Sequence, residues 1–158
     1  MQKVDEYNLF IDIVSIKDPK SFIKSMKDRY KNSIIQIFDI NAIADQEHLM
    51  LITIQSINAM KRNTMLADKV EMDMLLRIAC TNQIYKALEF AGAKDDSDAV
   101  LLILSKDEVD IDSKELKQSK DRIEFLIKYH GISNEELDAC LEDNKIAYIL
   151  AERANLLY

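Results

Sequence analysis

The side chains able to do covalent or metal chemistry are few and scattered. There are two cysteines, Cys80 and Cys140, and two histidines, His48 and His130. Zinc asks for a set such as two cysteines two to four apart, and neither histidine has partners placed to complete one. No metal is expected. His48 reads as a residue one turn inside a buried helix. His130 reads as a cation at a helix C-terminus, where the helix dipole favours positive charge. Cys80 ends an apolar stretch just before Thr81. A thiol beside the start of the next helix would have a lowered pKa, whereas a small buried hydrophobe is the other common role of cysteine. A small enzyme or sensor using Cys80 is therefore one reading. The paired carboxylates Asp107, Glu108 and Asp110 lie in an acidic loop and read as a solvated face. No catalytic residue and no cofactor is assigned. There are only two glycines, Gly92 and Gly131, and both read as left-handed helix ends. Neither is free for a phosphate-cradling loop, which needs two or three in close succession.

Charge is more informative. The chain carries a net −7, yet Lys17 to Lys31 holds six basic and two acidic residues. Lys20, Lys24, Lys27 and Lys31 follow at four, three and four residues, which places them on one helix face. Lys61 and Arg62 form a second basic spot. Glu89 to Glu115, by contrast, holds nine acidic and three basic residues. A lysine stripe on an acidic protein is either a solvated face or a local contact for a phosphate backbone.

These residues need elements to hold them. Tyr7 to Ile16 reads as a strand. Asp18 and Pro19 start a helix to about Lys31, as cap and first residue. Ser33 to Ile40 is a second strand, apolar enough to be buried on both faces. Asp45 caps a segment to about Met60. Leu51-Ile52-Thr53-Ile54 within it could be a strand, but sixteen residues without a turn signal favour a helix. Asp68 and Glu71 have capping-pair spacing ahead of a helix with the stripe Val70, Met74, Leu75 and Ile78. Thr81 caps a short helix that Gly92 ends. Ala99 to Leu104 is a buried strand. Helices then run from about Lys114 to Tyr129, from Ser133 to Leu141 and from Asn144 to Leu157. The expected fold class is α/β, a single domain over residues 1–158, with a small central sheet of three or more strands packed with several helices. The length and the 48% hydrophobic content suit one soluble domain. The longest apolar run is six residues, against about 20 for a membrane-spanning helix, so no membrane partner is expected. Two cysteines without a disulfide framework and no signal-peptide pattern point to a reducing, cytoplasmic setting.

The stretch from Phe38 to Lys94 carries a family resemblance. It reads FDINAIADQEHLMLITIQSINAM and then KRNTMLADKVEMDMLLRIACTNQIYKALEFAGAK. His48-Leu49 follows an alanine and a short polar stretch. Ala59 lies in the helix after it, and an acidic-Met-Leu-Leu run stands at Asp73 to Leu76. Gln83-Ile84 and Gly92 complete the set. In order and spacing these features resemble the small regulatory subunit of the KEOPS complex, the PRPK-binding (TPRKB-like) family.

The resemblance implies a non-enzymatic subunit. It would dock on the small Bud-type protein kinase of the complex and support its ATPase activity. It would also hold the single-stranded 3′ CCA end of tRNA, aiding threonylcarbamoyladenosine modification. Such ends are held by phosphate contacts with stacking or base-edge hydrogen bonds. The candidate tRNA-binding residues are Lys24, Lys27, Lys31, Lys61, Arg62, Asn63 and Asn82. The candidate kinase interface is Leu88, Phe90, Ile146, Ile149 and Leu150. The chain departs from the family pattern in two places. The glycine ahead of the histidine is replaced around Ala44-Asp45. The Ser-Gly-x-Arg before Gln-Ile is here Ala79-Cys80-Thr81-Asn82. The missing arginine bears on RNA affinity, with Lys61 and Arg62 as compensation if the two helix ends adjoin. A protein-only kinase adaptor without RNA binding is the alternative.

Overall fold

Alternation with period two builds the sheet, and it sets both layers that cover it. The computed structural model describes residues 2–158. Strand β1 (Gln2–Val4) turns into β2 (Tyr7–Ile16). Helix α1 (Pro19–Arg29) leads to β3 (Ile34–Asp39), and β4 (Ser97–Ser105) arrives later. The spatial order is β1-β2-β4-β3, with every neighbouring pair antiparallel. Strand β4 thus sits between β2 and β3, which run parallel to each other. Register pairs Leu9 with Leu104 and Ile11 with Leu102, while Phe38 faces Val100. These residues share one face, against the helices that follow β3. Phe10, Ile35, Ile37, Leu101 and Ile103 share the other, against α1.

Each layer follows from local chemistry. Asp18 accepts the Lys20 N–H at 3.2 Å and the Ser21 hydroxyl at 2.7 Å, and Pro19 is the first residue of α1. Phe22, Ile23, Met26 and Tyr30 pack inward onto the sheet. A 3₁₀ turn, Ile40–Ala42, precedes α2 (Gln46–Arg62), whose cap Asp45 accepts the His48 N–H at 2.9 Å. Leu51 to Ile54 is helix, not strand. Helices α3 (Val70–Ala79) and α4 (Ile84–Ala91) complete this layer with α5 (Lys120–His130), α6 (Asn134–Ala139) and α7 (Lys145–Asn155). The expected α/β domain with a small central sheet is what forms, four-stranded with seven α-helices among the described residues.

Several boundaries differ from expectation, each for a physical reason. Asp68 and Glu71 do not cap α3. Lys69 is its cap residue and makes no side-chain cap bond. Asp73 instead reaches back to the Leu66 N–H at 2.7 Å and grips Arg77 Nε at 2.7 Å. Gln83, not Thr81, is the α4 cap residue, although the Thr81 hydroxyl accepts the Gln83 N–H. Gly131 has φ +61, as a left-handed helix end requires. Gly92 is extended at φ −68, and its need for glycine is steric: a Cβ there would lie 2.4 Å from the Leu88 carbonyl oxygen. Residues 114–119 are irregular rather than helical. They cover β2 beyond the short β1, where the Lys114 N–H meets the Ile11 carbonyl at 2.7 Å and Ser113 Oγ accepts the Ile11 N–H.

Candidate partner-docking site

Helix α4 is apolar on more than one side. Ala87 and Ala91, four apart, are buried. Ile84, Tyr85 and Leu88 point outward and are 50%, 66% and 48% exposed. Large exposed side chains grouped on one short helix are unusual for a surface that meets only water. Leu88 also borders a groove of about 400 Å³ whose other walls include Lys20 and Ile23 of α1 and Met72 and Leu75 of α3. The groove runs beside β3, an outer strand of the sheet. There the Ile37 N–H is already satisfied by the Gln36 side chain at 3.0 Å. The exposed residues, rather than the strand backbone, are what this region offers a partner.

An aromatic set extends the surface. Phe90 lies against Tyr129 of α5 with ring centroids 3.8 Å apart and planes 6° from parallel, and Phe125 follows at 6.2 Å. Phe125 and Tyr129 are half exposed. Together with Asp39, Lys86 and Glu89 they line a recess of about 560 Å³. Burial, with Glu89 as the next cause, raises the Tyr129 phenol pKa. The phenol is neutral at physiological pH, so the rings give a surface with charge only at its rim. That arrangement, apolar at the centre and polar around it, is the anatomy of a protein interface.

The candidate residues are not all brought together. Leu88 is exposed and Phe90 is partly covered by Tyr129, so both belong to this surface. Ile146, Ile149 and Leu150 do not. They are buried in the chain's own core with Leu126 and Ile132, because α7 is held by its polar ties to α2 and α3. Gln55 Nε2 donates to the Ala151 carbonyl at 2.7 Å, and Arg77 donates to the Ala154 carbonyl. As a free interface those three are corrected to core.

The RNA candidates also separate. Lys24 and Lys27 lie on α1 and Lys31 just beyond it, in the layer across the sheet from α2 and α4. Asn63 ends α2 in the left-handed conformation, φ 55, which asparagine tolerates. Lys61 pairs with Asp5 in the β1–β2 turn. Asn82 follows α3, at the other end of a helix about 15 Å long, and donates to the Tyr158 carbonyl at 3.4 Å. Among the described residues no hydrogen bond or ion pair joins Asn82 to Lys61, Arg62 or Asn63.

The titratable groups change meaning once packed. Burial pushes the Cys80 thiol up to about 11, so it is protonated at neutral pH. Its sulfur lies 3.6 Å from the Arg77 carbonyl and 3.7 Å from the Leu150 carbonyl. Cys80 is the left-handed end of α3, φ 52. That correction removes the main support for a Cys80 enzyme or sensor. Burial lowers His130 to about 4, with Arg153 adding to it, so it is a neutral imidazole rather than a dipole-stabilised cation. His48 is fully buried and likewise lowered to about 4. Its Nδ1 accepts the Ala44 N–H at 3.1 Å. Among the described residues no cluster of three or more His, Cys, Asp or Glu is placed to hold a metal ion. No helix there is long and apolar enough to cross a membrane.

The family model described as Kinase binding protein CGI-121 matches residues 13–149. The chain belongs to this family. The match agrees with the TPRKB-like resemblance of the Phe38 to Lys94 stretch and extends it through β2, α1 and the C-terminal helices. No curated protein matches the chain. For a CGI-121 protein a kinase is the partner class, and the exposed α4 surface is the candidate place for it. Ile84, Tyr85, Phe125 and Tyr129 join Leu88 and Phe90 there, although sequence reasoning did not select them. The available signal was α4 itself, apolar at six of its eight positions, more than one buried face needs.

Proposed function

We propose that this chain is a non-catalytic subunit of a KEOPS-type complex that docks on the Bud-type kinase through the outer face of α4. Its task there is to support the kinase in threonylcarbamoyladenosine modification of tRNA. The observation that carries the docking reading is the exposed trio Ile84, Tyr85 and Leu88 in a chain of a kinase-binding family. Interfaces draw most of their affinity from a few large side chains near the centre. Phe90, Phe125 and Tyr129 supply the adjoining aromatic surface. The test is titration of the purified kinase with the wild type and with Leu88→Glu and Tyr85→Ala. Loss of binding with unchanged thermal stability supports the surface, and full affinity in both variants places the kinase elsewhere.

The same reading assigns tRNA binding, with its 3′ CCA end, to Lys24, Lys27, Lys31, Lys61, Arg62, Asn63 and Asn82, with lysine and arginine on phosphate and asparagine on base edges. Two observations favour the protein-only alternative. Lys61 is paired with Asp5, and Asn82 is already hydrogen-bonded. Binding of tRNA with and without its CCA, at two salt concentrations, separates the two. Binding that needs the CCA and falls with salt supports end recognition. No binding at either salt concentration leaves the adaptor.

A further inference from the structure

We infer that the groove between α6 and α7 is a second docking face, and that its occupant is a segment of a partner protein with apolar side chains flanked by lysine or arginine. This face is separate from the α4 surface and independent of RNA binding.

The floor of the groove is apolar and held in place. Ala139 and Cys140, at the end of α6, face Ile149 of α7 and Leu156, the residue that ends α7, across a space of about 450 Å³. Ile149 and Cys140 pack into the same cluster as Leu126 and Ile132, which fixes the floor. Arg153 of α7 grips both carboxylate oxygens of Glu136 of α6 at 2.8 Å, which fixes the width. The upper edge has no such cover. Leu156 is 68% exposed, and Leu141, directly after Cys140, is 97% exposed. Among the described residues the other exposed large apolar side chains are Ile54, Tyr158 and those of α4 and α5.

Carboxylates surround this floor. Residues 134–143 hold Glu135, Glu136, Asp138, Glu142 and Asp143 and no basic residue, and Glu152 adds another from α7. Arg153 is the one cation lining the groove, and Glu136 takes it up. Among the described residues Glu135, Asp138, Glu142 and Glu152 form no ion pair. The other acidic stretches lack an apolar floor open to a partner. Along Asp107 to Asp112, Val109 and Ile111 pack onto the sheet, and Asp110 is held by Arg29 and Tyr30. From Asp95 to Asp98 no large apolar side chain is exposed.

The occupant follows from charge and shape. Uncompensated carboxylates repel a phosphate backbone and an anionic bilayer. A second copy of this chain in a two-fold contact would set the same carboxylates against each other. An apolar floor inside an acidic rim is complementary to a basic amphipathic segment. Its apolar side chains cover Leu141 and Leu156 above Ile149, and its cations face Glu135, Asp138 and Glu142. The apolar centre holds the segment, and the rim sets the salt dependence.

The probe is a synthetic amphipathic helix of leucine and lysine, titrated with the full chain across a salt series beside a leucine–glutamate helix of equal length. The variants are L141S/L156S, E135Q/D138N/E142Q and, as a control for general acidity, D95N/D96N/D98N. Expected is binding of the lysine peptide alone, at least about tenfold weaker in L141S/L156S and less salt-dependent in E135Q/D138N/E142Q. The control should bind as wild type. Leu141 and Leu156 face solvent, so L141S/L156S should keep its thermal stability. Amide NMR shifts in the wild type, which need no variant, should gather between residues 136 and 156. The proposal is overturned by absent binding in wild type, by amide shifts centred elsewhere, by unchanged affinity in L141S/L156S, or by the control losing as much as E135Q/D138N/E142Q. It is also overturned if the purified kinase displaces the peptide, which gives the groove to the kinase, or if the chain self-associates and L141S/L156S abolishes this, which gives it to a second copy. Leu88→Glu should bind the peptide as wild type does, so failure here leaves the α4 reading standing, and the reverse holds too.

Discussion

Helices α1 and α4 flank the same groove beside β3 and solve opposite problems. Each buries an inward stripe. Helix α1 uses all its large apolar residues for that stripe and shows lysines outside. Helix α4 needs only Ala87 and Ala91 inward and still carries Ile84, Tyr85 and Leu88 outside. An outward face is unconstrained by the core, so what it carries reports on what it meets. One face is charged and polar, the other apolar.

The largest effect should come from undermining what α4 stands on. Asp73 and Arg77 are a buried pair at 2.7 Å, tied also to the Leu66 N–H and the Ala154 carbonyl. Removing one partner of a buried pair costs about 3–5 kcal/mol. Arg77→Ala should lower urea stability by that order and loosen α3, α4 and α7 together. The α1 layer, held by apolar packing, has no such polar lock. If hydrogen exchange shows α1 opening as readily as α4 in Arg77→Ala, the two layers are one cooperative unit.

Acid should act next, on the same side of the sheet. His48 is neutral in the fold with a pKa of about 4, against an ordinary 6.5. Above 6.5 both states are neutral there and the group contributes nothing to the pH dependence. As pH falls below 6.5 the unfolded chain binds the proton first, so stability drops until about pH 4 and then levels. A shift of that size corresponds to roughly 3 kcal/mol at the limit. Urea midpoints between neutral pH and pH 4 should show it. His130 is lowered to about 4 as well and adds to the loss over the same window, so His48→Leu should make that part of the profile shallower without flattening it, and an equally steep profile in the variant would assign the loss to other groups.

Binding sharpens the contrast further. Leu88→Glu should weaken kinase binding by about 2 kcal/mol, the scale of an interface hot spot, whereas K24Q/K27Q/K31Q on α1 should leave it unchanged. Weakened kinase binding in both variants would merge the two faces into one surface.

The smallest effect is expected at the α3–α4 corner. Cys80 holds a left-handed conformation that favours glycine. Cys80→Gly relieves about 1 kcal/mol of backbone strain and forfeits a small, partly buried side chain, so stability should change by less than about 1 kcal/mol. Native Cys80, with its thiol pushed up to about 11, should alkylate slowly at neutral pH and quickly in urea. Fast native alkylation would restore the sensor reading.

Much of the frame was legible along the chain because local rules wrote it. Asp18-Pro19 and Asp45 cap the helices expected of them, and Ser133, the expected start of α6, is its cap, with Oγ accepting the Glu136 N–H at 3.1 Å. Strand β4 is buried on both faces, as its apolar run demands. Gly92 and residues 114–119 were misread for a common reason. A close backbone approach and an edge-covering segment are set by neighbours distant in sequence, and no local pattern encodes them.

Composition, caps, periodicity and the stretch from Phe38 to Lys94 determined by themselves the α/β class, the order of the main elements from β2 onward and the family, but not the short strand β1. Only the tertiary structure decided which apolar residues are core and which are surface. Ile146, Ile149 and Leu150 look no different in sequence from Ile84 and Leu88. They differ because α7 is covered by its neighbours while the outer side of α4 is left uncovered. Periodicity says that a helix has an apolar stripe. Which stripe is covered depends on contacts between residues far apart along the chain.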